Sequence, residues 1–349
     1  MGIGNRAARR RIGIAAASGL VATAVAVALA GTAGAATTSA AAGATARAAG
    51  APAAAGYQFV TLGSTHDTTF NQLLGINDSG LIAGYFGSGA KGHPNKGYEL
   101  RAPYAQGDVV SENFPGSVQT QVTGLNDHGD TVGFFSTQNT ATMNNNNFGF
   151  YKLNGQGFHE VNFPTTDNQK PPVDQLLGIN NHDVAVGFYL NGAGNARGYT
   201  YNINTKKFAM VTKPGAPGGI AAPSLTAAAI NNHGDVAGFY VVNAKSGATD
   251  GFLKLSNGVF VKIAVPGAAS TAVLGLNDSD WAVGFYTTSG GATHGFIFRL
   301  GHGYTTNVDD PNGVGTTTLN GINDENDLVG FYTNPSGSIT FGLLAYVKF

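Results

Sequence analysis

The sequence contains no cysteine, and only 11% of its 349 residues are charged, with a formal net charge of −1. The absence of cysteine excludes disulfides, cysteine nucleophiles, thiolate metal sites and lipid-modified cysteine. The near-neutral charge argues against a nucleic-acid partner, because such a partner requires a basic surface that neutralises phosphates. In contrast, glycine is abundant at 52 residues and aromatics make up 10% of the chain. This composition is typical of many short strands joined by glycine-containing turns.

The first 35 residues have the organisation of an export signal. Arg6 and the run 9–11 form a positive start, residues 12–30 are uncharged and apolar or small, and 33–35 read Ala-Gly-Ala. This order predicts a secretory signal peptide over 1–35, exported by the general or the twin-arginine route. A retained membrane anchor is the alternative, but the stretch is rich in Ala and Gly rather than Leu or Phe. Residues 36–56 are almost entirely small, which predicts a linker.

One phrase, GINDSGLIAGYF in its first copy, is nearly repeated five more times, about 50 residues apart. Each copy carries an Asn followed by Asp or Asn, and later a Gly followed by two aromatics. The copies begin at Gly75, Gly124, Gly178, Ala229, Gly275 and Gly321. Repeats of this length indicate that the chain from residue 57 is a single repeat architecture rather than several unrelated domains.

Within each copy, one position accepts only Gly, Asp or Asn. The residues there are Gly80, Gly129, Asp183, Gly234, Asp280 and Asn326. These residue types tolerate a positive φ angle, whereas a ligand-binding position would not accept glycine and aspartate alike. The phrase therefore predicts a hairpin turn in which the Asn side chain hydrogen-bonds the backbone ahead of it.

Two strands flank each turn, and a Gly-aromatic strand and a fourth strand follow. Four strands in about 50 residues, repeated six times, predict an all-β fold, a six-bladed β-propeller of antiparallel blades over 57–349. The last copy lacks a fourth strand, whereas residues 57–64 resemble a fourth strand with no copy before them. We therefore expect the N-terminal strand to join the last blade and close the ring. A solenoid, the alternative, would carry atypical caps at both ends.

The repeated phrase, followed by a His-Gly-Phe motif and then by Phe and Pro-Gly, resembles the HAF-repeat family of bacterial extracellular proteins. The resemblance covers residues 57–349 and implies secretion and a propeller-like fold, without a general reaction or catalytic residues. The sequence departs from the family pattern because the motif histidine is retained only at His294. The equivalent positions hold Lys96, Phe148, Arg197, Asp250 and Phe341.

In a propeller of this strand order, the repeated turns lie on one face and the variable loops lie on the other. Variable loops on a rigid scaffold commonly carry binding sites. The polar residues that start third strands are expected to ring the mouth of this loop face, and His66 and Asp67 lie in a blade-to-blade loop beside it. These six candidate ligand-binding residues are Lys96, Arg197, Asp250, His294, His66 and Asp67. The alternative is that they are solvated loop ends without a ligand.

No catalytic motif, cofactor motif or metal-binding spacing is recognisable, so we expect no cofactor and no metal. Three histidines, His128, His182 and His233, occupy the free third position of the turn and are interpreted as exposed turn residues. The preferred function is a secreted, monomeric binding module for an extracellular polysaccharide or protein, without a membrane contact once the signal is removed. The alternatives are a polysaccharide lyase or glycoside hydrolase that uses acids or histidines of the loop face, and a structural envelope role.

Overall fold

The computed structural model describes residues 56–90, 92–105, 108–139, 145–165, 170–213 and 224–347. The predicted signal peptide, 1–35, and the predicted linker as far as residue 55 lie outside the described residues. The described residues form 24 β-strands in six sheets of four. Within this part of the chain there is no α-helix, and so none that is long and apolar enough to span a bilayer.

Each blade is one antiparallel sheet, whose strands are ordered from the first, nearest the axis, to the fourth, at the outer edge. Blade 1 contains β2 (Asn71–Ile76), β3 (Ile82–Phe86), β4 (Lys96–Leu100) and β5 (Val109–Ser111). Blade 2 contains β6 (Gln119–Leu125), β7 (Thr131–Ser136), β8 (Phe148–Lys152) and β9 (Phe158–Val161). Blade 3 contains β10 (Asp174–Ile179), β11 (Val184–Leu190), β12 (Ala196–Asn202) and β13 (Lys207–Met210).

The other three blades follow the same plan. Blade 4 contains β14 (Leu225–Ile230), β15 (Val236–Asn243), β16 (Ala248–Lys254) and β17 (Phe260–Ile263). Blade 5 contains β18 (Ser270–Leu276), β19 (Trp281–Thr287), β20 (Thr293–Arg299) and β21 (Gly303–Thr306). Blade 6 contains β22 (Thr318–Ile322), β23 (Leu328–Thr333), β24 (Thr340–Val347) and β1 (Tyr57–Leu62).

The blades close into a ring, which confirms the predicted six-bladed β-propeller. Every first strand contacts the first strands of both neighbouring blades, and β2 contacts β22 as well as β6. The predicted closure is also confirmed, because β1 pairs antiparallel with β24 from Tyr57↔Val347 to Leu62↔Gly342. The N-terminal strand therefore supplies the outer edge of the blade that the C-terminal strands begin.

The axis of the ring is filled by side chains. Leu74, Leu177, Ala228 and Leu274 come from the first strands of four different blades and belong to one apolar cluster. Such residues can meet only where the first strands converge. The same cluster includes aromatics of the second strands, such as Phe188 and Phe239. At this level the centre of the propeller is a packed core rather than an open channel.

The turns between first and second strands have the predicted backbone conformation. At the position limited to Gly, Asp and Asn, the φ angle is positive in every copy, for example 57° at Asp183 and 76° at Gly80. The preceding Asn forms the predicted side-chain bonds: Asn77 Oδ1 accepts the backbone N–H groups of Ser79 and Leu81, at 3.1 and 2.9 Å. The repeated phrase therefore encodes this turn.

The same Asn also links each blade to the next. Its Nδ2 donates to the carbonyl oxygen of the equivalent Asn, from Asn77 to Asn126 at 2.9 Å, and so on around the ring until Asn323 donates to Asn77 at 3.1 Å. The four intervening bonds join Asn126, Asn180, Asn231, Asn277 and Asn323 in that order. We call this closed set of six buried bonds the asparagine ring.

A second closed set of bonds involves the residue after each of these asparagines. Its backbone N–H donates to the side-chain Oδ1 of the equivalent residue in the next blade, over distances of 2.7 to 2.9 Å. The six residues are Asp78, Asp127, Asn181, Asn232, Asp278 and Asp324. The invariance of Asn-[Asp/Asn] in the phrase thus reflects contacts between blades as well as the turn within each blade.

The glycine that precedes the two aromatics is required by a close approach of two strands. A Cβ at Gly284 would overlap the carbonyl oxygen of Ala272 in the adjacent first strand, and the equivalent glycines meet the same obstacle. Backbone atoms cannot yield as a flexible side chain can. The position therefore excludes every residue other than glycine.

We expect Gly284→Ala to lower the free energy of unfolding by about 2 kcal/mol or more, because the clash forces the two strands apart. Chemical denaturation measures this directly. Gly290→Ala is the matched control in the same blade, since a Cβ there lies 3.8 Å from its nearest neighbour, Thr288 Oγ1. Equal stability of the two variants would contradict the close-approach explanation.

Candidate ligand-binding face

The two faces of the propeller differ in what occupies them. One, the turn face, carries the turns that join first to second and third to fourth strands, together with the asparagine ring. The other, the loop face, carries the loops that join second to third strands and blade to blade. Because the turn-face contacts repeat in every blade and the loop-face sequences do not, the loop face is the better candidate for recognition of a ligand.

The predicted rim positions are structurally equivalent. Each is paired in register with the second aromatic residue of its blade's second strand. The pairs are Phe86↔Lys96, Tyr189↔Arg197, Tyr240↔Asp250 and Tyr286↔His294. These four residues therefore lie at one height on four different blades, 1, 3, 4 and 5. They form a series around the loop face rather than a cluster within one blade.

Blade 1 brings together three of the six predicted residues. The imidazole of His66 stacks on Phe86 with ring centroids 5.5 Å apart and an interplanar angle of 15°. His66 Nδ1 lies 2.8 Å from Ser64 Oγ. Phe86 is also the register partner of Lys96. His66 is exposed on the loop face, so its ring forms a flat, accessible surface.

Asp67 does not pair with its neighbour His66 but with His93. Its Oδ2 lies 2.8 Å from His93 Nδ1, and its Oδ1 accepts the Thr69 N–H at 2.9 Å. Burial opposes ionisation of Asp67, but the hydrogen bonds from Thr69 and His93 outweigh it and hold the pKa of this carboxyl below its usual value. His93 is 54% exposed at its side chain. We call His66, Asp67, His93 and Lys96 the blade-1 rim.

His93 was not among the predicted site residues. It is isolated in the sequence, in the loop between β3 and β4, and only the fold brings it to the blade-to-blade loop that carries Asp67. No local motif joins two residues so far apart in the chain. His66 and Asp67 are adjacent in sequence, but their side chains contact different partners, Ser64 and His93.

Blade 5 contains a second histidine–carboxylate pair. His294 Nδ1 lies 2.6 Å from Asp309 Oδ2, and the imidazole stacks on Tyr286 with centroids 5.4 Å apart. The Gly295 N–H donates to the other carboxylate oxygen at 3.0 Å. Burial raises the pKa of Asp309, although the bonds from His294 and Gly295 act in the opposite direction. The His294 side chain is 15% exposed, less than the 54% of His93 in blade 1.

The other two predicted residues make local contacts. Asp250 Oδ2 forms an ion pair of 2.7 Å with Lys262 Nζ on the adjacent strand. This pair raises the pKa of Lys262 through its hydrogen bond and its charge. Arg197 donates to the carbonyl oxygen of Ala196 at 3.1 Å. These two contacts stay within blade 4 and blade 3, respectively.

A layer of amide side chains lies between the rim and the filled axis. Gln121 Nε2 donates to Asn95 Oδ1 at 3.0 Å, and Gln175 Nε2 donates to Asn147 Oδ1 at 2.7 Å. Both glutamines precede the repeated phrase at the same position, and both are buried. Their Oε1 atoms have no hydrogen-bond partner among the described residues. These two positions beneath the rim are therefore polar and buried.

A group of side chains that could ligate a metal ion lies on the turn face. In the part of the chain that the structure describes, His128, Asp130 and Asp183 form a group of three whose ligand atoms lie within 4.8 Å of one another. They belong to turns of blades 2 and 3, so any ion held there would lie away from the loop face.

No family model and no curated protein matches the chain. Solved structures do resemble it. The SapL1 lectin in complex with alpha methyl fucoside is 10% identical with a TM-score of 0.51, covering 81% of this chain and 94% of the lectin. AofleA from Arthrobotrys oligospora is 12% identical with a TM-score of 0.50, covering 83% of this chain and 86% of AofleA. At such identities the likeness shows the propeller fold alone.

Proposed function

We propose that this protein is a secreted binding module that recognises an extracellular saccharide through the blade-1 rim. The observation that carries the proposal is the exposed imidazole of His66, held flat on Phe86 beside the Asp67–His93 pair. A flat ring suits the apolar face of a sugar, and the nearby carboxylate of Asp67 and imidazole of His93 suit its hydroxyls. Export is part of the proposal and rests on the predicted signal peptide.

The composition of the loop face supports a neutral polyhydroxylated ligand. Among the charged groups at the predicted positions, Asp67 and Asp250 already have cationic or imidazole partners within 2.8 Å. A ligand of strong single-sign charge would have to compete with these partners. Hydroxyl groups, by contrast, can donate to and accept from such pairs without displacing them.

We expect His66→Ala and His93→Ala each to weaken binding of a polysaccharide by about tenfold or more, since each removes a contact group while β3 and β4 remain intact. Binding to an immobilised polysaccharide panel, with released products measured in parallel, tests this. His302→Ala is the matched control, because His302 is also exposed but lies in a turn on the opposite face. If all three variants bind equally well, the saccharide site is not on this rim.

Polysaccharide cleavage is the second candidate function, favoured by the His294–Asp309 pair. A carboxylate 2.6 Å from Nδ1 orients the imidazole, as a general base requires. Oligosaccharide products that disappear in His294→Ala, while binding persists, would make the protein an enzyme. Binding without products in the wild type would leave the module as proposed.

A further inference from the structure

The group His128, Asp130 and Asp183 bridges two blades on the turn face. His128 and Asp130 belong to the turn of blade 2, and Asp183 occupies the positive-φ position of the turn in blade 3. Their ligand atoms lie within 4.8 Å of one another. The His128 side chain is 60% exposed, whereas Asp130 is buried, so the group opens to solvent on one side only.

The separation of the ligand atoms fits a shared ion better than a hydrogen bond. His128 Nδ1 and Asp130 Oδ2 are 3.8 Å apart, which exceeds the range of a hydrogen bond. Two ligands on one zinc ion, each at about 2.1 Å, lie about 3 to 4 Å apart. The imidazole and the carboxylate are therefore spaced as two ligands of one metal would be, with no direct bond between them.

Both carboxylates are held in place by other groups. Asp130 accepts the Asn126 Nδ2 group at 2.9 Å and the Asn154 backbone N–H at 2.8 Å. Asp183 Oδ2 accepts the Asn204 Nδ2 group at 3.0 Å. Supporting hydrogen bonds of this kind orient metal ligands and lower the cost of bringing them together.

The same three residue types occur again between blades 4 and 5, although among the described residues only the group at His128 has all three ligand atoms within 4.8 Å of one another. His233, Asp235 and Asp280 occupy the positions of His128, Asp130 and Asp183. There Asn231 Nδ2 lies 3.4 Å from Asp235 Oδ2 and 3.1 Å from Asp280 Oδ1, so the two carboxylates share one amide. Burial, together with the negative charge of Asp235, raises the pKa of the Asp280 carboxyl. A second interface between blades thus carries the same combination of one imidazole and two carboxylates.

We propose that His128, Asp130 and Asp183 bind a divalent first-row metal ion, with zinc as the best match. One imidazole nitrogen and two carboxylate oxygens form a donor set that zinc accepts, and the exposed side leaves a position for water or an external ligand. The ion clamps blade 2 to blade 3 on the turn face. No metal was expected from the sequence, because the third ligand comes from the next blade and no short motif contains all three residues.

The test is a zinc titration of the full chain, purified without a polyhistidine tag and with chelator removed, followed by calorimetry and by thermal unfolding. Zinc should bind and raise the melting temperature. His128→Gln and Asp183→Asn should each weaken zinc binding, raising the dissociation constant by about tenfold or more. Asp183→Asn keeps the turn, since Asn326 occupies the equivalent position with a φ of 68°.

His182→Gln is the matched control. His182 lies at the same turn position as His128, but Val184 replaces the carboxylate in its own turn and Gly234 replaces it in the next. Zinc binding that persists in His182→Gln but is lost in the other two variants supports the site. Absence of zinc binding in the wild type overturns the proposal, as does an isotherm that is unchanged in both site variants or equally weakened by His182→Gln.

Discussion

Deletion of residues 57–63 should lower the melting temperature of the protein by more than about 10 °C. These residues form β1, which pairs with β24 along its whole length and completes blade 6. Tyr57 and Phe59 pack against the core between blades 5 and 6, and Leu62 packs against the core between blades 6 and 1. Full burial of such a side chain contributes about 1.5 to 3 kcal/mol, and these three are half-buried, so their loss adds to the loss of the pairing with β24. Each kcal/mol is worth about 2 °C or more in a large domain.

The control is deletion of an equally long stretch, residues 45–51. That stretch lies in the Ala-rich segment, which has few side chains able to add to a core. Thermal unfolding followed by circular dichroism compares the two deletions with the wild type. A melting temperature that falls equally in both, or in neither, would contradict closure of the ring by β1.

Asn180→Ala should lower the free energy of unfolding by about 2 to 4 kcal/mol, because it leaves two half-buried backbone N–H groups without their acceptor and removes a buried hydrogen bond between blades. Asn180 Oδ1 accepts the N–H groups of His182 and Val184, at 3.0 and 3.1 Å. Its Nδ2 donates to the Asn231 carbonyl oxygen at 2.9 Å, which is one link of the asparagine ring. Urea denaturation measures the loss.

Asn180→Asp isolates the link between blades, since it keeps the acceptor oxygen and replaces the Nδ2 donor. The new carboxyl would face the Asn231 carbonyl oxygen at a buried position, so its ionised form is disfavoured and its folded-state pKa is raised above the unfolded value of about 3.9. Stability relative to the wild type should therefore be best preserved below about pH 4 and should be lost as the pH rises through the folded pKa. A loss of stability relative to the wild type that is the same at every pH would contradict a hydrogen bond between blades at this position.

Asn191→Ala supplies the matched control within the same blade. Asn191 Oδ1 accepts the N–H groups of Ala193 and Asn195 at 3.1 and 3.0 Å, the same local pattern that Asn180 makes. It lies in the loop between β11 and β12, and these side-chain bonds stay within that loop. We expect it to cost less than half of what Asn180→Ala costs. Equal losses would assign the whole effect to the local turn.

The fold was predictable because each feature of the repeated phrase has a local cause. The position restricted to Gly, Asp and Asn indicates a positive backbone φ angle, and the four predicted strands of each repeat indicate one blade. The closure of the ring was also predictable, because the last copy has three strands and residues 57–64 supply the fourth strand of that blade. The contacts between blades were not predictable in this way. The sequence shows that every copy of the phrase has Asn at the position of Asn77, but it does not show that the Asn77 Nδ2 group donates to Asn126.

The candidate sites were only partly predictable. Equivalent rim positions could be recognised, because residues at the same position of each repeat occupy the same place in their blades. Their partners could not be recognised, since Asp67–His93 and His294–Asp309 depend on where blade-to-blade loops pass the neighbouring residues. The group at His128 was hidden for a related reason, because its third ligand lies one blade further along. Repeats predict what is shared among blades, whereas binding sites depend on where the blades differ.

The measurement that tests the central claim most directly is hydrogen exchange of the full chain with and without a saccharide from the polysaccharide panel. Binding at the loop face predicts slower exchange in residues 63–70 and 87–95, which carry most of the blade-1 rim. It predicts no change in the turn at residues 77–81 on the opposite face. Protection of the turn instead, or failure of every saccharide in the panel to protect the loop face, would contradict saccharide recognition by this rim.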